Sequence, residues 1–330
     1  MDLFSQLEGQ DTAKEILVRS LARGRVHHAY LFEGPAGVGK FFTAMALAQT
    51  LVCEIREPTA TQACGTCSAC ERSTLREGDK RPRHPDVAVV AKGLYEPSVI
   101  GRKTAESQEI SVDQIRTVVL AHAAYGPHEG KARVFVVRGA DELGTSAANA
   151  LLKMLEEPLP RTHFVLVSDR PEKVISTLRS RTLSIRFGAL GDSVLQRLLA
   201  ARGVAADEAA ELATNADGSI ERAFALRDRE SQAAEQEFVD AVEGALRDRG
   251  AGSVLALSDS VKGNREGLEH NLRALSRHFA RSARSAATAG ADAERPAARY
   301  ALVRDALTKL TRNAAPPLVV EAMLFALRRT

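Results

Sequence analysis

The sequence contains no tryptophan. It also contains no run of 18 or more apolar residues, so its pattern predicts no membrane-spanning helix. Its charge is nearly balanced, with 45 Lys and Arg against 42 Asp and Glu, and a net charge of +3 does not by itself predict nucleic-acid binding. Residues 1–6 lack the basic start and the apolar core of a signal peptide, so we expect a cytoplasmic protein. The composition, 45% hydrophobic and 26% charged over 330 residues, predicts a soluble protein of about two or three domains.

The chain has only four cysteines, and all of them fall within one short segment with two overlapping C-x-x-C spacings. They are Cys53, Cys64, Cys67 and Cys70. In a cytosolic protein this clustering favours a metal site over disulfides, and four thiolates satisfy a tetrahedral Zn²⁺ ion without leaving an open position. We therefore predict a structural zinc module at residues 53–70, with free thiols in a loop as the alternative.

Residues 34–40 match the phosphate-binding loop pattern G-x-x-x-x-G-K. The candidate phosphate-binding residues of this loop are Gly34, Gly37, Gly39 and Lys40. The pattern next requires Ser or Thr, whose hydroxyl binds Mg²⁺, but the chain has Phe41. The motif thus predicts the frame of a nucleotide site without its metal ligand. It leaves open whether the loop still holds a phosphate weakly or survives only as packing.

Strands and helices alternate along the first 187 residues. Short apolar runs predict buried strands at residues 29–32, 87–91, 134–137, 164–168 and 182–187. Helical periodicity predicts helices at residues 11–23, after Lys40, at 111–123 and at 147–155. Ser111 is the expected N-cap of the third of these helices. The alternation indicates an α/β domain with a parallel sheet that is covered on both faces.

Two other regions of the chain lack the strand signal. Residues 92–109 are polar and aperiodic, with Gly93, Pro97 and Gly101, and predict a mobile surface loop. After residue 187 only helical patterns remain. We predict a small helical lid at residues 188–231 and an all-α domain at residues 232–330.

Several specific motifs occur in order over residues 7–187. They are His28-Ala29-Tyr30-Leu31-Phe32, the four-cysteine insert, His84-Pro85-Asp86, Val112-Asp113-Gln114-Ile115-Arg116, the run from Asn149 to Pro158, and Leu178-Arg179-Ser180-Arg181. With these motifs the chain resembles the bacterial clamp-loader ATPases of the AAA+ class, the gamma/tau and delta-prime subunits of DNA polymerase III. The resemblance implies an AAA+ P-loop domain at residues 1–187, and a C-terminal helical collar that joins subunits into a five-membered ring.

The resemblance also implies which residues ATP hydrolysis would need. ATPases of this family have an Asp-Glu pair at the end of the strand before the Asn-Ala-Leu-Leu-Lys helix, and those two positions fall here on Arg138 and Gly139. They have an Arg after Gly-Ser-Leu in the lid, where this chain has Glu221, with Arg222 one place later. Together with Phe41, these departures imply negligible phosphoryl transfer, because that reaction rests on Mg²⁺, water positioning and charge clamps.

One part of the family's chemistry is retained. Ser180-Arg181-Thr182 matches the family's Ser-Arg-Cys motif, whose arginine reaches the neighbouring subunit's nucleotide site. The alternative for Arg181 is a solvated or core-bridging arginine, because Arg179 and Arg186 lie close by. We expect Arg181 to be an arginine finger in trans and the chain to be a delta-prime-like stator. An active gamma/tau-like ATPase, and an unrelated zinc protein with a chance P-loop, are the alternatives.

The resemblance implies the partners as well. They are the gamma/tau and delta subunits, the sliding clamp, and primed DNA held through backbone contacts. The N-terminus of the predicted helix at residues 111–123 is one candidate for a DNA contact, through its backbone amides. No membrane partner is expected.

Overall fold

The computed structural model describes residues 2–76, 78–101, 109–227, 229–248, 250–312 and 314–330. They form two compact units, residues 1–223 and residues 224–330. The predicted limits of the lid and of the collar, residues 188–231 and 232–330, stay predictions. Among the described residues, no helix is both long and apolar enough to span a membrane.

The first unit is built on a five-stranded parallel sheet with the order β2-β3-β4-β1-β5. The strands are β1 (Ala29–Glu33), β2 (Val87–Val90), β3 (Arg133–Arg138), β4 (Thr162–Ser168) and β5 (Leu183–Arg186). The predicted parallel α/β sheet is therefore confirmed, and each predicted strand is found with its ends shifted by at most two residues. All five residues of β1, which lies between β4 and β5, are buried, as expected for a parallel strand covered on both faces.

Helices cover both faces of this sheet. The helices that precede β5 are α1 (Asp11–Ala22), α2 (Lys40–Val52), α3 (Ser68–Ser73), α4 (Val112–Gln114), a π-helical segment (Ile115–Leu120), α5 (Ala121–Ala123), α6 (Thr145–Glu156) and α7 (Ser176–Arg179). Short 3₁₀ turns occur at Phe4–Gln6, Pro97–Ile100, Ala140–Glu142 and Pro171–Lys173. Alternate residues of β1 enter different apolar clusters: Phe32 packs with Leu47 of α2 on one face, and Leu31 packs with Leu151 of α6 on the other.

The helix expected at residues 111–123 forms, and its cap is the expected one. The Ser111 hydroxyl accepts a hydrogen bond from the Gln114 backbone N–H at 3.3 Å. Its middle part, Ile115–Leu120, is π-helical, which the sequence pattern did not predict. The loop expected at residues 92–109 contains the 3₁₀ turn Pro97–Ile100, and residues 102–108 lie outside the described residues.

Only helices follow β5 in the part of the chain that the structure describes. They are α8 (Asp192–Ala200), α9 (Ala206–Asn215), α10 (Ile220–Arg227), α11 (Arg229–Arg247), α12 (Gly252–Ser260), α13 (Arg265–Thr288), α14 (Glu294–Thr311) and α15 (Pro316–Leu327). The second unit has a core of its own, in which Leu272, Phe279 and Leu324 are fully buried.

Candidate functional site

The phosphate loop leaves the carboxyl end of β1 and enters α2 at Gly39. Two of its glycines, Gly34 and Gly37, are required because later parts of the chain approach them closely. A Cβ on Gly34 would lie 2.2 Å from the carbonyl oxygen of Phe187, and a Cβ on Gly37 would lie 2.2 Å from the Ser219 hydroxyl. Gly37 also has a φ of +70°, which favours glycine. The structure thus brings the four predicted loop residues together in one turn, wrapped closely by later parts of the chain.

The side chain of Lys40 is directed at its own chain. Its Nζ donates to the Gly34 carbonyl at 2.7 Å and to the Pro35 carbonyl, and it lies 2.7 Å from Oδ1 of Asp169 at the end of β4. Only 3% of the Lys40 side chain is exposed. The charge that would bind a phosphate in a working P-loop is therefore compensated within the chain.

Phe41 occupies the position of the metal-binding hydroxyl, and its ring lies under a cation. The guanidinium carbon of Arg138, at the end of β3, is 5.0 Å from the ring centroid. Arg138 also pairs with the Glu221 carboxylate at 3.8 Å. Phe41, Arg138 and Glu221 are three of the positions at which the sequence departs from the ATPase pattern, and the structure brings all three together.

A carboxylate lies close to Gly139, although in the sequence it comes three residues after that position. Glu142 is three residues later, in the turn Ala140–Glu142, and its Oε2 is 2.7 Å from the position that a Cβ at residue 139 would take. Its carboxylate also lies 3.7 Å from Arg170. The neighbouring Asp141 accepts hydrogen bonds from Ser168 at 2.7 Å and from Arg170 at 2.8 Å. The tight turn after β3, and not the strand itself, supplies the acidic groups here.

The first turn of α10 rests on the phosphate loop. The Ile220 backbone N–H donates to the Gly37 carbonyl at 2.9 Å. Glu221 faces Arg138, whereas the Arg222 side chain is largely buried and lies 3.6 Å from Asp217. A carboxylate, and not an arginine, therefore stands at the lid position beside the loop.

Arg181 follows α7 on a partly exposed surface. Its Nε donates to Oε1 of Glu156 at 2.7 Å, and a terminal nitrogen lies 2.6 Å from the same oxygen. Its other terminal nitrogen donates to the Thr177 carbonyl at 3.1 Å and to the Ser180 hydroxyl at 3.2 Å. Glu156 lies at the end of α6, within the Asn149–Pro158 run. The predicted finger is thus held by a carboxylate of its own chain, and about a third of its side chain is exposed.

The four cysteines are brought together as a possible metal site. Their Sγ atoms all lie within 4.8 Å of one another, with Cys53 to Cys67 at 4.0 Å and Cys64 to Cys70 at 3.8 Å. A tetrahedron with Zn–S bonds of about 2.3 Å has sulfurs about 3.8 Å apart, so the donor set fits a zinc ion. Burial tends to raise the pKa of Cys64, but N–H groups of Thr66 and Cys67 outweigh it and lower that pKa to about 6. The zinc assignment itself stays a prediction.

A buried network joins the cysteine module to the sheet. The backbone N–H groups of Arg83 and His84 donate to the Arg72 carbonyl in α3 at 2.8 and 3.1 Å. Asp86 accepts two bonds from the Arg133 guanidinium, at 2.8 and 3.1 Å. It also accepts three bonds from the backbone N–H groups of His128, Glu129 and Gly130. Burial tends to raise the pKa of Asp86, but these donors outweigh it and lower that pKa to about 2. The motif at residues 84–86 is therefore a structural joint.

Strand β1, the glycine loop that follows it and the helical turn seated on that loop define an α/β protein of the P-loop class. Within that class the chain belongs to the DNA polymerase III clamp-loader family: the family model described as "DNA polymerase III, delta subunit" matches residues 9–191.

Curated relatives carry two kinds of name. The chain is 34% identical over 210 residues to DNA polymerase III subunit gamma/tau of Mycobacterium tuberculosis, covering 62% of this chain and 33% of the relative. It is 28% identical over 219 residues to DNA polymerase III subunit delta' of Bacillus subtilis, covering 66% and 59%. The match thus spans about a third to three fifths of the length of these relatives. A solved gamma subunit-related protein of Thermotoga maritima aligns over 98% of this chain and 99% of its own, with 17% identity and a TM-score of 0.47.

Proposed function

We propose that this chain is a delta-prime-like subunit of a DNA polymerase III clamp loader, which does not hydrolyse ATP itself and lends Arg181 to a neighbouring subunit's ATP site. The observation that carries the proposal is the state of its own phosphate loop. Lys40 is buried against loop carbonyls and Asp169, and Phe41 and Arg138 fill the place of the metal and its ligands. Such a site lacks the groups that hold Mg²⁺ and neutralise charge during phosphoryl transfer.

The finger assignment draws support from the surroundings of Arg181. A planar guanidinium binds carboxylates and phosphates with the same two-pronged geometry. An arginine paired with a carboxylate in the isolated chain can therefore bind a phosphate of a neighbouring subunit instead. Arg181 is partly exposed and already bound to such an oxyanion, Glu156, so a neighbour's phosphate can compete for it. Arginine fingers supplied in trans are worth about 10³–10⁵ in rate in other phosphoryl-transfer systems.

The remaining roles follow the same proposal. Gamma/tau and delta subunits, a sliding clamp and primed DNA are the proposed partners, and residues 232–330 form the proposed collar. Zn²⁺ bound by the four cysteines is the proposed structural cofactor. It would stabilise the segment between α2 and α3, whose cysteines lie close enough to share one ion.

A second candidate function is an active gamma/tau-like ATPase, and one observation favours it. Glu142 folds back over Gly139, so a carboxylate lies close to the position of the missing water-activating Glu. Its ion pair with Arg170 and the phenyl ring at position 41 count against a role in hydrolysis. If Glu142 were the base, Glu142→Gln would abolish turnover by the isolated chain.

The test is ATP turnover by the purified chain, alone and reconstituted with gamma/tau, delta, sliding clamp and primed DNA. We expect no turnover by the chain alone. In the assembly we expect Arg181→Ala to remove the turnover of the site that it serves and to leave assembly intact. Arg179→Ala, which changes an exposed arginine two residues away, is the matched control and is expected to behave as wild type. Robust turnover by the isolated chain, or equal activity of the two variants, would refute the proposal.

A further inference from the structure

Three departures from the ATPase pattern lie in three separate parts of the sequence and meet in one place. Phe41 is the second residue of α2, Arg138 is the last residue of β3, and Glu221 lies in the first turn of α10. The Arg138 guanidinium is 5.0 Å from the Phe41 ring centroid and 3.8 Å from the Glu221 carboxylate. Arg138 therefore contacts both of the other two residues.

We propose that Phe41, Arg138 and Glu221 form a bridge that fastens the first turn of α10 to the phosphate loop when no nucleotide is bound. In a working site these three positions would hold a metal-binding hydroxyl, a carboxylate and an arginine, which meet through Mg²⁺ and the phosphates. Here they are a ring, a cation and a carboxylate, and the cation attracts each of the other two directly. The bridge rests on the proposed function only in treating this site as non-catalytic.

Backbone and buried side-chain contacts beside the bridge also hold the phosphate loop to later parts of the chain. The Ile220 N–H donates to the Gly37 carbonyl at 2.9 Å, so the turn sits on the loop itself. The buried Gln10 side chain donates to the Val38 carbonyl at 3.1 Å and to the Gly188 carbonyl at 2.8 Å. The phosphate loop is thus tied both to the first turn of α10 and to the segment that follows β5, and the bridge closes the exposed side of that arrangement.

The charges around the loop are compensated by the chain. Lys40 pairs with Asp169 and Arg138 pairs with Glu221, so a bound triphosphate would compete with carboxylates for both cations. Both members of the Arg138–Glu221 pair are more than half exposed, which limits their strength. An exposed ion pair or cation–π contact changes an equilibrium about two- to fivefold, so together they favour the closed turn by about tenfold.

The test is hydrogen exchange on the purified chain, read at the amides of residues 34–40 and 219–223. Arg138→Glu and Glu221→Arg each place like charges together, and we expect several-fold faster exchange at both segments. The double variant restores an opposite-charge pair with reversed order, and we expect exchange to return toward the wild-type rate. Glu221→Gln removes the pair without a new repulsion and covers the case in which a charge reversal fails to fold. Arg19→Glu, which disrupts an exposed ion pair within α1, is the control and is expected to leave both segments unchanged.

Two results would overturn the bridge. One is unchanged exchange at both segments in every single variant that retains wild-type circular dichroism. The other is a double variant, Arg138→Glu with Glu221→Arg, whose exchange at both segments is as fast as in the single variants, because an opposite-charge pair would then not fasten the turn. These readouts need neither partners nor turnover. If Arg181→Ala leaves ATP turnover of the assembly unchanged while the double variant regains the slow exchange of the wild type, only the finger is refuted. If Arg181→Ala lowers turnover while the double variant does not regain slow exchange, only the bridge is refuted.

Discussion

Replacing Asp86 with Asn tests the joint between the cysteine module and the sheet. Asp86 is 1% exposed, and it is bound by Arg133 and by three consecutive backbone N–H groups. These donors hold its pKa at about 2, below its ordinary value of 3.8. A difference of about 1.8 pKa units corresponds to about 2 kcal/mol of stability at neutral pH. Breaking a buried pair costs about 3–5 kcal/mol. Because Arg133 keeps a bond to the His122 carbonyl, we expect a loss of about 3 kcal/mol.

The stabilisation that the Asp86 carboxylate provides is expected to fall as the pH is lowered. A carboxyl whose pKa is lower in the folded state stabilises the protein above its unfolded pKa, and this contribution is lost as the pH falls toward the folded pKa. For Asp86 that window runs from about pH 4 down to about pH 2. At pH 3 the wild type has lost about 1 kcal/mol of the contribution, whereas the Asn variant has no carboxyl at this position to titrate. The stability difference between the two proteins is therefore expected to narrow by about that amount between pH 7 and pH 3.

The measurement is urea unfolding followed by circular dichroism at both pH values, with hydrogen exchange in β2 and β3 assigning the transition to residues 1–223. Asp79→Asn is the control, because Asp79 lies in the same segment and bonds to Arg76 and Arg83 at the surface. It is expected to unfold close to the wild-type midpoint. A loss below about 1 kcal/mol for the Asp86 variant at pH 7, or a gap that stays constant down to pH 3, would refute the argument.

Three further changes test other parts of the molecule. Replacing both Cys64 and Cys67 with Ser is expected to reduce bound zinc from about one ion per chain to none, as measured by metal analysis, and unchanged metal content would exclude these thiols as ligands. Gly37→Ala is expected to destabilise the chain by at least about 1 kcal/mol and to speed exchange at residues 219–223, because its Cβ would meet the Ser219 hydroxyl at φ +70°. Phe135→Ala is expected to cost about 3–5 kcal/mol in urea unfolding, because the side chain is buried against Phe164 in the core, and a loss below about 1 kcal/mol would contradict that packing.

The sheet could be predicted from the sequence because buried parallel strands are short apolar runs with turns between them. Residues 134–137 are four consecutive apolar residues, and they form the middle of β3. The loop glycines and the Ser111 cap were equally readable, since both depend on residues close together in the chain. The π-helical segment Ile115–Leu120 was not, because its residues fit an α-helical pattern equally well.

The arrangement of the site could be predicted only in part, because its contacts join residues far apart in the sequence. Counting along β3 placed Arg138 and Gly139 at the positions of the catalytic carboxylates, and Glu142 lies three residues after Gly139 in the sequence. The tight turn at Ala140–Glu142 folds that side chain back over Gly139, which residue counting does not capture. The available signal was the order Gly-Ala-Asp-Glu directly after a strand, where a glycine allows the chain to reverse.

The glycines of a phosphate loop can persist in a chain for reasons other than nucleotide binding. Here Gly34 permits the approach of the Phe187 carbonyl, and Gly37 permits the approach of Ser219. Lys40 satisfies two loop carbonyls and pairs with Asp169, so the lysine also has a structural role. Each of these residues is needed to seat later parts of the chain on the loop, whether or not a phosphate is ever bound. An intact G-x-x-x-x-G-K pattern is therefore weak evidence for catalysis. The residues that would surround the metal are the ones that distinguish a site that hydrolyses ATP from one that does not.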